Sequence, residues 1–355
     1  MNNQEFDPNG VGLENAGIFG LPYSPDDAQV VLIPAPWGVT VSYGSGTQEG
    51  PRAILDASPQ IDYYHPSYGS DSWKVGLAML PLGDWNDAYE EGLALREKAK
   101  VHIEALESGE SDSAPHEINE ACEKFHARVE KSADELLAKG KLVGLVGGDH
   151  STPLGLMRSL ARKHEFGILQ IDAHCDLRDT YEGFTYSHAS IMHNALKLPQ
   201  VTKLVQVGAR DYSIGEREVI EQSKDRIQTF FDADMKARQF EGETWKNIVE
   251  SIVSALPKKV YISFDIDGLD SALCPNTGTP VPGGLQFQEA TYLIQKVAES
   301  GKTIIGFDVN EVSPGESYSA EATKDTWNAN VGMRVLWNLA LWSAQSSNIT
   351  ASRLP

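Results

Sequence analysis

The stretch GILQIDAHCDLRD, residues 167–179, decides how this chain folds. Its first part, Gly167 to Ile171, is a short and nearly continuous apolar run. Such a run suits a strand buried on both faces, as in a parallel sheet covered by helices. The second part turns acidic at once, with Asp172, His174 and Asp176 at every other position. If the chain stays extended there, side chains alternate faces and all three point the same way.

The same pattern recurs on either side. LVGLVGGDHS, residues 142–151, runs from an apolar strand through two glycines to Asp149 and His150. VYISFDIDGLD, residues 260–270, ends a strand on Asp265 and Asp267, again two apart. Further apolar runs lie at 30–33, 75–80, 203–207 and 303–307, and helix-length segments at 153–163, 286–300 and 328–342. Alternating strands and helices predict an α/β fold, a sheet with helices on both faces. The first 27 residues, punctuated by Gly and Pro, read as an extended arm. Residues 28–345 read as a single domain and 346–355 as a tail. Residues 84–140 are an excursion with 15 acidic and 7 basic residues, read as two solvated surface helices around a turn at 108–115.

Composition removes several classes of function. The chain has 355 residues, 41% hydrophobic and 23% charged, an ordinary globular balance. Its net charge of −20 argues against binding nucleic acid or an anionic membrane, both of which need basic patches. The three cysteines, Cys122, Cys175 and Cys274, have no disulfide spacing, and the N-terminus shows no signal-peptide pattern. A cytoplasmic protein with no membrane segment is expected.

Leaving Asp149 aside, four aspartates and two histidines thus sit just past strands of one sheet, where open α/β sheets place their sites. Four carboxylates gathered near a low-dielectric core would drive one another to protonate. Two divalent ions carry the compensating charge. Mixed carboxylate and imidazole ligation suits Mn, Fe, Co, Ni or Zn better than Ca or Mg.

GGDHS, DAHxD and SFDIDGLD in that order, followed by TGTPVPGG at 277–284, resemble the ureohydrolase family of arginase, agmatinase and their relatives. The resemblance spans about residues 28 to 345 and falls in the agmatinase-like branch. It implies a three-layer αβα sandwich with a mainly parallel central sheet. It implies His150, Asp172, His174, Asp176, Asp265 and Asp267 as ligands of two divalent ions, Mn²⁺ in most members and Ni²⁺ in some. Asp172 and Asp265 would bridge the pair. It also implies a homo-trimer or homo-hexamer. His188, in YSHAS, matches the family's active-site histidine, and Glu311, in GFDVNEVSPG, matches the glutamate that binds the guanidinium. The x of DAHxD is Cys175, where Thr or Ala is usual, and a packing role is expected of it.

The reaction implied is hydrolysis of a guanidino C–N bond, releasing urea. Two ions would supply hydroxide near neutral pH. Glu311 would present the small guanidino substrate, Asp176 would take the hydroxide proton, and His188 would assist its transfer to the leaving nitrogen. The loop at 177–190 looks agmatinase-like and disfavours arginine, while the stretch at 312–322 departs from the agmatinase pattern. Trp37 is read either as a bulky residue at the pocket mouth, favouring free guanidine, or as packing under the first strand. Arg178 is read as an outward salt bridge rather than a carboxylate binder. The alternatives are thus a guanidine hydrolase, then an arginase or another guanidino-acid hydrolase. Outside this chemistry stand a single-zinc deacetylase of similar fold, disfavoured by the intact six-ligand set, and a catalytically silent metal-binding subunit.

Overall fold

Among the described residues, the seven apolar runs and one further segment form eight parallel strands of one sheet: β1 (Val30–Ala35), β2 (Leu77–Met79), β3 (Leu142–Gly147), β4 (Phe166–Ile171), β5 (Val201–Val207), β6 (Ile227–Phe230), β7 (Lys259–Asp265) and β8 (Thr303–Asn310). The computed structural model describes residues 6–12, 16–42, 44–110, 115–315 and 327–351. Parts of the arm, the turn at 111–114, residues 316–322 of the stretch after Glu311 and the end of the tail lie outside the described residues. The strand order is β2-β1-β3-β8-β7-β4-β5-β6. β6 was not expected: only Ile227 of its four residues is buried, so no continuous apolar run marks it.

Among the described residues, ten α-helices cover the sheet: α1 (Gly50–Ala57), α2 (Asn86–Glu107), α3 (His116–Ala138), α4 (Leu154–Ala161), α5 (Ile191–Leu196), α6 (Ile214–Gln222), α7 (Asp232–Phe240), α8 (Trp245–Ala255), α9 (Phe287–Glu299) and α10 (Trp327–Ser346). α3 packs on β1 and β3 and against α4, while α10 packs on β8 between α1 and α9. The result is the three-layer αβα sandwich. The chain crosses from β3 to β4 and later fills the gap with β7 and β8. The carboxyl ends of β3, β8, β7 and β4 therefore sit side by side. Register completes the arrangement, because Ile171 pairs with Phe264 and Phe264 with Val309, which also pairs with Val146. The next residue on each strand, Asp172, Asp265, Asn310 and Gly147, forms one row at the sheet's edge.

The excursion, read as solvated, and the arm, read as extended, are both tied to the core. α3 buries Phe125, Val129 and Ala133 beneath its charged outer face. In the arm, Ile18–Gly20 forms a 3-10 turn that buries Ile18 and Phe19, and the Phe19 ring meets Trp337 edge-on at 4.9 Å. No helix among the described residues is long and apolar enough to cross a membrane.

Candidate metal centre and its cleft

The two glycines before His150 are dictated by close approach. A Cβ on Gly147 would lie 1.7 Å from Asn310 Oδ1, and one on Gly148 would lie 1.9 Å from the Trp37 carbonyl oxygen. Only a bare backbone lets β3 turn there and bring His150 under β7 and β4. His150 Nδ1 then lies 2.9 Å from Asp172 Oδ2, 3.0 Å from Asp176 Oδ2 and 3.2 Å from Asp265 Oδ2.

The tautomer of His150 follows from its other nitrogen. Ser263 Oγ donates to Asp308 Oδ1 at 3.0 Å, so at 2.9 Å it accepts from His150 Nε2. In the neutral ring Nδ1 is then a lone pair, buried, without a hydrogen-bond partner and aimed at three carboxylate oxygens. Acceptor against acceptor is repulsive, and a cation between them removes the conflict. Two groups of donor atoms can hold such ions, His150 with Asp172 and Asp265, and Asp172 with His174 and Asp267. Each group keeps its ligand atoms within 4.8 Å of one another, and Asp172 belongs to both. His174 Nδ1 is 3.1 Å from Asp267 Oδ2. Asp176 stands outside both groups but faces His150.

Strand alternation does not explain how Asp176 arrives. β4 ends at Ile171, and Asp176 has φ of 53°, the left-handed region. A backbone turn, fastened where the Asp176 carbonyl accepts Met192 N at 3.1 Å, aims its carboxylate inward. The charges show the strain of this crowding. Burial and the nearby Asp172 push Asp176 up to about 7, and burial with Asp267 and Asp172 pushes Asp265 well above the carboxylate range. Burial opposes charging of His150, but Asp172, Asp176 and Asp265 outweigh it and raise its pKa. Burial also resists charging of His174, yet Asp267 and Asp172 raise it likewise.

Supporting polar chains were not anticipated. Thr229 Oγ1 donates to Gln206 Oε1, Gln206 Nε2 to Gln170 Oε1 and Gln170 Nε2 to Asp172 Oδ2, each at 2.7 Å. Ser263 and Gln170 stand two residues before Asp265 and Asp172, so the two-residue strand period is the signal that points to them. Asp149, buried, accepts from Thr40 and Ser151 and builds the turn that carries His150.

Glu311 follows β8 with φ of 62° and is 4% exposed. Its Oε1 accepts His150 N at 2.9 Å, while its Oε2 is buried with no partner. A Cβ on Gly278 would come within 2.7 Å of that oxygen. Thr279, the next residue, lines a cleft of about 280 Å³ with His174, Asp176, Arg178, His188 and Asp211. Glu311 itself is not on the cleft wall. His188 opens a 3-10 turn, its backbone N–H donating to Thr40 Oγ1 at 3.1 Å. Burial, then the charge of His174, holds its pKa down to about 3. Arg210 clamps the loop opposite, Nη2 donating to the carbonyls of Val281 at 2.7 Å and Asp267 at 2.8 Å.

A profile of the arginase family matches residues 28–341 of the chain. The chain belongs to the arginase family. It is 31% identical over 310 residues to the N(1)-aminopropylagmatine ureohydrolase of Thermus thermophilus, covering 86% of this chain and 90% of that one. It is 28% identical to the guanidinobutyrase of Pseudomonas aeruginosa, covering 81% of this chain and 80% of that one. The agmatine ureohydrolase of Thermoplasma volcanium has the same fold, with a TM-score of 0.69 at 24% identity over 95% of this chain and 97% of that one. As an arginase-family hydrolase of the agmatinase-like branch, the chain cleaves a guanidino C–N bond and releases urea.

Three other residues now have places in this hydrolase. Trp37 is 1% exposed and stacks on Phe125 at 4.6 Å, so it packs beneath α3 and does not narrow the cleft mouth. Cys175 is fully buried in the apolar core, with its carbonyl accepting Gln206 Nε2, and belongs to neither ligand group. Arg178 does line the cleft, with its guanidinium 4.6 Å from the Tyr181 ring centre and its Nε 3.8 Å from Glu216 Oε2.

Proposed function

We propose that this arginase-family enzyme hydrolyses a small aliphatic guanidino compound with a cationic far end, agmatine being the representative. The observation that carries this reading is the charge along the cleft. Asp211 is exposed on its wall, and His174 and Asp211 are neighbouring backbone partners. Asp211 thus puts a free carboxylate within a short aliphatic chain of the ligand cluster. Among the described residues, the one Lys or Arg on the wall, Arg178, already faces Glu216 and Tyr181, which favours an ammonium-ended substrate over a carboxylate-ended one.

Two divalent ions, Mn²⁺ in our proposal with Ni²⁺ the alternative, would be held by His150, Asp172, Asp176 and Asp265 and by Asp172, His174 and Asp267, and would supply an activated water as nucleophile. Glu311 Oε2 offers a desolvated acceptor that a guanidinium N–H satisfies. Asp176 takes the proton of the attacking water on its carboxylate and passes it to the leaving nitrogen, and His188, a neutral imidazole lining the same cleft, assists by accepting at one ring nitrogen as it releases from the other. A homo-trimer or homo-hexamer of this chain completes the proposal.

Urea release from agmatine, guanidine, 4-guanidinobutyrate and arginine, each after Mn²⁺ or Ni²⁺ loading, tests it. Agmatine should exceed guanidinobutyrate by about 100-fold in kcat/KM, about 2.7 kcal/mol of discrimination. Asp211→Asn should erase most of that preference. Fastest turnover of guanidine or of a carboxylate-ended substrate overturns the substrate assignment. Bound metal with no urea from any of the four means a silent subunit.

A further inference from the structure

We propose that Asn119, on α3 of the charged excursion, is a positioning residue for the hydrolysis, holding the loop that carries His188. The inference rests on the assignment of His188 to the reaction.

The loop between β4 and α5 turns back on itself in a small hairpin. Phe184 N donates to the Tyr181 carbonyl at 2.8 Å and Tyr181 N to the Phe184 carbonyl at 3.2 Å. The two residues between them, Glu182 and Gly183, have φ of 52° and 81°, as a tight two-residue turn requires. Glu182 is a side chain in a backbone region that L residues adopt reluctantly, so the turn needs support from outside itself.

That support comes from the excursion. Asn119 spends both ends of its amide on the hairpin, with Nδ2 donating to the Gly183 carbonyl at 3.1 Å and Oδ1 accepting Thr185 N at 2.8 Å. The side chain thus pairs with the backbone on both sides of Phe184, as a neighbouring strand would. His102, on α2, adds a bond from Nε2 to the Glu182 carbonyl at 2.9 Å, and its ring meets the buried Phe184 edge-on at 5.6 Å. Further along, Tyr186 sits edge-on to His126 of α3 at 5.1 Å.

The clamped hairpin delivers two residues to the cleft. Tyr181 leaves one arm and His188 follows the other, their rings perpendicular at 6.1 Å, and both line the cleft. A proton-relaying group displaced by about 1 Å can lose about 10²-fold in rate. Three residues separate Gly183 from Ser187, which caps the turn that begins at His188. Slack at the hairpin therefore reaches the imidazole with little to absorb it.

The test is a double-mutant cycle on metal-loaded enzyme. Asn119→Ala should lower kcat about tenfold, with KM within about twofold and metal content unchanged. In a His188→Ala background the same substitution should change kcat by less than about twofold, because the group it positions is gone. His102→Ala, which removes one bond where Asn119→Ala removes two, should act in the same non-additive way with a smaller loss, and it serves if Asn119→Ala fails to fold. Multiplying losses in the cycle overturn the inference alone. Full turnover in His188→Ala overturns the assignment of His188 itself, and this inference with it.

Discussion

The floor and the rim of the cleft are built on different principles. The floor is a row of strand ends, with Asp172, Asp265, Asn310 and Gly147 placed by the register of four adjacent strands. Its ligands are held by short hydrogen bonds from nearby in the chain, such as Gln170 Nε2 donating to Asp172 and the Asp267 amide donating to Asp265 Oδ1 at 2.9 Å. The rim is made of loops, and its holding groups come from far away in the chain. Asn119 reaches across 64 residues to Gly183, and Thr40 reaches across 148 to His188. The difference predicts that metal binding and proton transfer fail separately in this enzyme. Floor substitutions should remove metal, while rim substitutions should leave metal in place and slow turnover.

The sharpest way to break that division is at the shared ligand. Asp172→Ala should lose metal from both positions, and activity by more than about 10³-fold, measured by metal analysis and urea release together. Retained metal with wild-type turnover would sink the two-ion floor. A milder probe is Ser263→Ala, which frees His150 Nε2 without touching a ligand. Metal affinity should drop by about 10- to 100-fold, read from activity during titration with a chelator. Unchanged affinity would mean that the chain from Asp308 does not orient the imidazole.

The smallest effect concerns the rim's backing. His126 is fully buried against Tyr186, and burial, followed by the charge of Arg158, holds its pKa down to about 3. The folded state thus keeps this imidazole neutral, whereas the unfolded chain takes up its proton as pH falls through about 6.5. Its contribution is present above that value and is lost on going toward pH 3. Between pH 7 and pH 5 the wild type should lose about 1–2 kcal/mol more stability than His126→Phe, measured by urea unfolding at both pH values. Equal losses would show that His126 is charged in the folded protein.

The floor was legible because its chemistry and its secondary structure share one period. Apolar runs ending in Asp-x-His or Asp-x-Asp state both that a strand is buried and that its end carries ligands. Glu311 and His188 were legible only by resemblance, since neither sits in a periodic pattern. Arg210, Asn119 and the Gln170–Gln206–Thr229 chain were missed because a single polar residue on a strand or helix carries no sign of its distant partner. Residues 84–140 form the two helices expected around 108–115, but their hold on the core was hidden for a related reason. Acidic and basic residues face water over most of α2 and α3, and they hide the buried stripe of Phe125, Val129 and Ala133.

By itself, then, the sequence determined the parallel sheet, the order of its ligand-bearing strand ends and the family's chemistry, because these are local and periodic properties. Tertiary structure alone decided which face each ligand presents. The left-handed turn at Asp176 replaced strand alternation, and close backbone contacts required Gly147 and Gly148 to be bare. It also put Trp37 in the core and bonded the charged excursion to the loop that carries His188. Those outcomes depend on residues far apart in the chain meeting at distances of about 3–5 Å, where packing and hydrogen bonding act and sequence spacing is silent.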